Sequence, residues 1–168
     1  MLEYDMNFEH IYSQLNVDKE TITKFFFFFS RFEYALKRAG YLQNGQKAKP
    51  DWDKFTKDNE SNFDPKKTKT LRDACEYLLK KPPKEQVVQK GKLDFNVPTE
   101  FKNMSRFGKA VLAVKTVRNN LFHGGKYSNG PLSDPARDSE LIKNCVILLE
   151  EMLELAPKVA KEFNADPV

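Results

Sequence analysis

The sequence predicts an all-α fold, an antiparallel helical bundle, and three observations carry that expectation. Apolar residues recur at three- and four-residue steps along four long stretches. Glycines and prolines punctuate the ends of those stretches. The segment Lys84–Pro98 is irregular and leaves room for a short strand at most. With 168 residues the chain is expected to form one domain, residues 1–168, large enough to bury a core without covalent staples.

The first helix is expected from Asp18 to Ala39, where Ile22, Phe25, Phe26, Phe29, Phe32 and Leu36 recur at helical steps and Gly40 suits the stop. Its run of five phenylalanines, Phe25 to Phe29, makes it apolar around most of its girth. Such a helix is either central or presents one flank to another subunit. Residues 41–65 read as a long connection, with a short helix around Asp51–Phe55 anchored by Trp52 and Phe55. A third helix, about Lys67 to Leu79, buries Leu71, Ala74, Cys75, Leu78 and Leu79 and is stopped by Pro82-Pro83. The fourth runs from about Glu100 to Phe122, with Met104, Phe107, Val111, Val114 and Leu121 on one stripe. After a loop over Ser128–Pro135, the last helix starts near Arg137-Asp138, buries Leu141, Ile142, Cys145, Leu148, Leu149, Met152 and Leu155, and is ended or kinked by Pro157. The two longest core helices should include residues 104–121 and 140–155.

Composition removes several classes of function. Forty per cent hydrophobic and 31% charged residues is ordinary soluble composition. A net charge of +4 does not announce a nucleic-acid protein, but is compatible with one if the basic residues cluster. Cys75 and Cys145 each sit in an apolar helical pattern without a Cys or His partner at zinc spacing. Buried free thiols suit a reducing compartment, so a cytoplasmic location is expected. The segment MLEYDMNFEH is acidic and lacks a secretory apolar run, and Lys24 and Arg31 bracket the phenylalanines far short of a membrane span. No membrane role is expected.

The stretch 117-VRNNLFHGGKY-127 closes the fourth helix with Arg118 and His123 five residues apart. Five helical residues rotate a side chain by roughly 140°, so a straight helix would point the two apart. Gly124-Gly125 lets the helix unwind at His123, swinging the imidazole back toward the guanidinium and allowing a ligand to approach closely. Asn119, Lys126 and Tyr127 complete the inventory. One reading is a plain helix stop, in which an Arg and a His in the last turn meet the free carbonyls and the helix dipole. The other is a phosphate-handling site. Metal-free RNA cleavage needs a base for the attacking 2′-hydroxyl and an acid for the leaving 5′-oxygen, and imidazole can serve either role. A guanidinium grips phosphate oxygens bidentately as charge builds. Metal chemistry has less support, since His10 and His123 are the only histidines and no carboxylate cluster surrounds either; neither metal nor cofactor is expected.

The segment resembles the signature of the HEPN superfamily: helical domains carrying Arg, four to six residues, then His, usually with a polar residue after the Arg. Here these are Arg118, Asn119 and His123, at the shortest spacing. The stretch 29-FSRFEYALKRAGY-41 resembles an early helix of stand-alone prokaryotic members, and the likeness covers most of the chain. The resemblance implies a HEPN-like bundle that forms a homodimer and cleaves RNA without metal, often as a toxin or phage-defence effector. It implies that Arg118 polarises the phosphate, His123 is the acid or base, and Asn119 orients one of them. An antitoxin or a nucleotidyltransferase is an expected partner. Some members have lost catalysis and bind nucleotides or partners instead, so an inactive binding module stands as the alternative, and a pure interaction protein as a third. Lys126, Tyr127, Arg31 and Glu33 are the expected substrate contacts. Glu33, set between Phe32 and Tyr34, is expected to meet an arginine, because an unpaired charge in an apolar helix is costly. Lys37, Arg38, Lys47, Lys49 and 66-KKTK-69 read as solvated surface, and His10 as a packing or surface residue. One acid–base histidine per chain serves a two-proton reaction if a twofold interface brings two copies into one cleft.

Overall fold

Side-chain caps set where the helices begin. The computed structural model describes residues 17–123 and 135–166. Helix α1, Lys19–Arg38, starts where the Asp18 carboxylate accepts the Thr21 N–H at 2.8 Å; hydrogen bonding from Thr21, by its side chain first and its N–H second, holds the Asp18 carboxyl below its usual pKa. It stops at Gly40, whose φ of +90° admits the left-handed turn. The Tyr41 N–H then reaches back to the Leu36 carbonyl and the Gly40 N–H to that of Lys37. Helix α2, Trp52–Asn59, is capped by Asp51, and α3, Lys69–Lys80, by Thr68.

The segment after Pro82-Pro83 departs from expectation. Strands β1, Glu85–Gln89, and β2, Lys92–Asn96, form an antiparallel hairpin that pairs Glu85 with Asn96 and Gln89 with Lys92. Its two-residue turn puts Lys90 at φ 51° and Gly91 at φ 73°, the double positive φ whose twist matches the strands. The fourth helix also starts later than expected. A 3-10 turn covers Thr99–Asn103, Met104 is extended, and α4 runs over Arg106–Phe122 because the Ser105 hydroxyl caps the Gly108 N–H at 3.1 Å. Helix α5 spans Pro135–Leu155, beginning ahead of Arg137. Helix α6, Pro157–Asn164, follows a break at Ala156, as Pro157 requires. Among the described residues the longest helices are therefore α5 with 21 residues and α1 with 20, ahead of α4 with 17.

The described residues are mostly helical, with this one small sheet. Helix α5 packs against α1, α3, α4 and α6, and the shared core joins Phe25, Phe29, Phe32 and Leu36 of α1 to Phe107, Val114 and Val117 of α4 and Ile142, Leu149 and Met152 of α5. Trp52 stacks on Phe29 and Phe32, while Phe55 meets Phe32 edge-on, so α2 closes one end of the aromatic layer. The phenylalanine run divides: Phe25 and Phe29 are core, Phe28 packs on Phe163 of α6, and Phe26 and Phe27 face outward. No helix among the described residues is long and apolar enough to cross a membrane.

Candidate functional site

Helix α4 carries the Arg–His segment on its last turn. His123 is the residue at which helical geometry ends, its N–H bonded to the Asn119 carbonyl at 2.9 Å. Arg118 lies toward α1. Its guanidinium sits 4.4 Å from the centroid of Phe122 and 5.5 Å from that of Phe29, a cation–π arrangement on two rings. Its Nη1 donates to Asn119 Oδ1 at 3.1 Å. Its Nε is buried and has no acceptor among the described residues. An orphaned N–H of this kind costs about 1–3 kcal/mol and calls for an explanation.

The same turn presents an aromatic surface. Phe122, 51% exposed, stacks on Phe26 at 5.1 Å, and Phe26 meets the 63%-exposed Phe27 edge-on at 5.4 Å. Three exposed rings thus run in contact from Phe122, which carries the Arg118 guanidinium, through Phe26 to Phe27.

On another side of the turn, α4 and the hairpin enclose a cleft of about 390 Å³ lined by Glu85, Gln86, Leu112, Lys115, Thr116, Asn119, Asn120 and His123. The hairpin is fastened there by two bonds. Asn120 Nδ2 donates to the Lys84 carbonyl at 2.7 Å, and Gln86 Nε2 to the His123 carbonyl at 3.4 Å, one of the acceptors a helix end leaves open. Asn119 belongs to both regions, bonding Arg118 while lining the cleft. No hydrogen bond joins Arg118 to His123 within the chain; the imidazole lines the cleft, and the guanidinium rests on the rings.

The other expected contacts lie elsewhere. Arg31 donates from Nε to the Phe163 carbonyl at 2.9 Å and from Nη2 to the Ala165 carbonyl, tying α1 to the end of α6. The Glu33 carboxylate accepts the Trp52 indole N–H at 3.1 Å. Its partner is thus a tryptophan and not the expected arginine, because α2 folds back across this face of α1 and brings its one indole donor to the carboxylate. Neither Arg31 nor Glu33 lines the cleft. Lys126, Tyr127, Gly124, Gly125 and His10 lie outside the described residues. Among the described residues no group of three His, Cys, Asp or Glu side chains is placed to hold a metal ion.

Glu85, Gln86, Lys115, Thr116 and Asn120 were not expected at the site. A signal for the α4 members does exist: Leu112, Lys115, Thr116, Asn119, Asn120 and His123 stand at i, i+3, i+4, i+7, i+8 and i+11, one face of a helix. A search of family models, of curated proteins and of solved structures returns no match to this chain.

Proposed function

We propose that this chain is a metal-independent endoribonuclease of the HEPN superfamily, of toxin or phage-defence type, working as a homodimer. The observation that carries the reading is the buried Arg118 Nε without an acceptor among the described residues, one hydrogen bond away from Asn119 and five residues from the exposed His123. A phosphate oxygen is the acceptor that completes it. The guanidinium, over the Phe122 ring and close to Phe29, offers its remaining N–H groups as a planar fork to that phosphate.

The reaction follows from these groups. A base removes the proton of a ribose 2′-hydroxyl, whose oxygen attacks the adjacent phosphorus. The bond from phosphorus to the 5′-oxygen breaks, and an acid protonates that oxygen. The products are a 2′,3′-cyclic phosphate and a 5′-hydroxyl end, with one proton taken up and one released. One His123 supplies one of these roles, and a second copy seated on the Phe26, Phe27 and Phe122 patch supplies the other. Arg118 bears the charge that builds on the phosphate.

The placement of Arg118 on the rings, off the cleft that His123 lines, favours a second reading: an inactive module that holds a nucleotide or partner by the same residues. RNA incubated with the protein in excess chelator, beside His123→Ala, separates the two. Cleavage lost in the variant supports the nuclease. Intact RNA with retained nucleotide binding supports the module.

A further inference from the structure

We infer that the cleft between the hairpin and α4 is a nucleobase site that selects guanine next to the bond being cut. The inference deepens the ribonuclease reading and rests on it for the place of the scissile phosphate, since His123 lines the same cleft. The volume, about 390 Å³, lies in the lower part of the range for small-ligand sites, ~300–1,000 Å³.

The polar groups left over after the chain's own bonds define what fits. Asn119 accepts from Arg118 through Oδ1, so its NH₂ group remains to donate. Asn120 gives its NH₂ to the Lys84 carbonyl, so its Oδ1 remains to accept. The Thr116 hydroxyl donates to the Leu112 carbonyl at 2.8 Å. Glu85 brings an acceptor-only carboxylate and Lys115 a donor-only ammonium, while Leu112 offers an apolar contact for a ring face. A carboxylate and an ammonium that line one cleft suit a base that carries an N–H donor and a carbonyl on one edge. Guanine presents two adjacent N–H groups beside its O6, and cytosine presents an amine and a carbonyl. Adenine has no carbonyl, and uracil flanks its one N–H with two carbonyl oxygens that a carboxylate repels. An unpaired base offers this edge freely, which confines the site to single-stranded RNA.

Gln86 ties the site to the chemistry. Its side-chain amide bonds the His123 carbonyl, so a base that settles against β1 also settles the residue that carries the imidazole. Gln86 is therefore a positioning residue, and Glu85 and Lys115 are the readers.

Two measurements on the full chain test the assignment. In the first, GMP, CMP, AMP and UMP are titrated into the labelled protein and followed by amide NMR. GMP should give the tightest saturable shifts at residues 85, 86, 115 and 119, with CMP next. Glu85→Gln, or Lys115→Met should the first variant fold poorly, should weaken GMP about tenfold or more, the worth of one bidentate base contact. In the second, RNAs that differ at one unpaired nucleotide are cut in chelator, and the preference for guanine should vanish in Glu85→Gln. Equal binding of the four nucleotides, or a preference for uracil or adenine, overturns the inference. So does a wild-type cleavage pattern that Glu85→Gln leaves unchanged, an outcome under which the nuclease reading stands. GMP binding at these residues with uncut RNA has the opposite meaning: the base site stands and the nuclease reading falls.

Discussion

Truncating Asn120 should release the hairpin from the helix that carries the motif. Asn120 is only 7% exposed, and its Nδ2 holds the Lys84 carbonyl at 2.7 Å. Asn120→Ala removes that bond, worth about 0.5–1.5 kcal/mol net, and leaves a small void at the wall of the cleft, for a total of about 1–2 kcal/mol. In a chain of this size each kcal/mol moves the melting temperature by roughly 2–4 °C, so a fall of about 3–6 °C is expected by circular dichroism. Hydrogen exchange should show the amides of residues 85–96 losing protection before those of the core helices. Asn120→Asp should cost more at neutral pH, because a carboxylate would face a carbonyl oxygen. Its pKa in the fold would be raised, so the deficit should shrink as acid protonates it and restores an O–H donor. A change below about 1 °C, with hairpin exchange unaltered, would refute the reasoning.

Further expectations follow from the packing. Glu33→Gln keeps an acceptor for the Trp52 indole and should leave stability near wild type, whereas Glu33→Ala should lose about 1–2 kcal/mol and alter tryptophan emission; identical melts for both would count against the bond. Burial pushes the Cys75 thiol up to about 11, so at pH 8 a disulfide reagent should leave it unmodified in the native protein and label it rapidly in denaturant; stoichiometric native labelling contradicts this. Hydrogen bonds to Glu154 and Glu151 raise the Lys67 pKa, so its contribution is full below the free value of 10.5 and is lost as pH climbs through the higher folded value; Lys67→Met should erase that part of the alkaline melting slope. Phe27→Asp should convert a dimer to a monomer in light scattering and abolish cleavage, and a wild-type protein that is monomeric at micromolar concentration would remove the composite site.

Much of the helical framework was legible because its signals are local. Asp18 and Gly40 bound α1 through bonds within one turn, and Pro157 breaks α5 from α6 as its missing N–H demands. The hairpin was not legible: Lys90-Gly91 is a weak turn signal, Val87 and Val88 stand side by side, and the strands are held by Asn120 and Gln86, contacts far apart in sequence. A two-stranded hairpin is marginal alone and is defined by what it docks on. Glu33 found Trp52 rather than an arginine for the same reason, since nothing near residue 33 announces where α2 will fold. At the site, reading 117–127 as a linear motif isolated Arg118, Asn119 and His123. Reading α4 by its turn would have added Lys115, Thr116 and Asn120. Glu85 and Gln86 had no such route, as they reach the cleft from a different element.

The most direct test follows the ends of the RNA made in excess chelator by wild type, Arg118→Lys and His123→Ala, with melting temperatures taken on the same samples. Wild type should leave 2′,3′-cyclic phosphate and 5′-hydroxyl ends. His123→Ala should lose roughly 10²–10⁴-fold in rate. Arg118→Lys should lose most activity despite keeping its charge, since an ammonium cannot reproduce the planar grip. RNA binding should survive both changes better than cleavage, and both variants should melt near wild type. Unbroken RNA with all three proteins, together with a lowered melting temperature in His123→Ala, would contradict the account and leave the residue as the end of a helix.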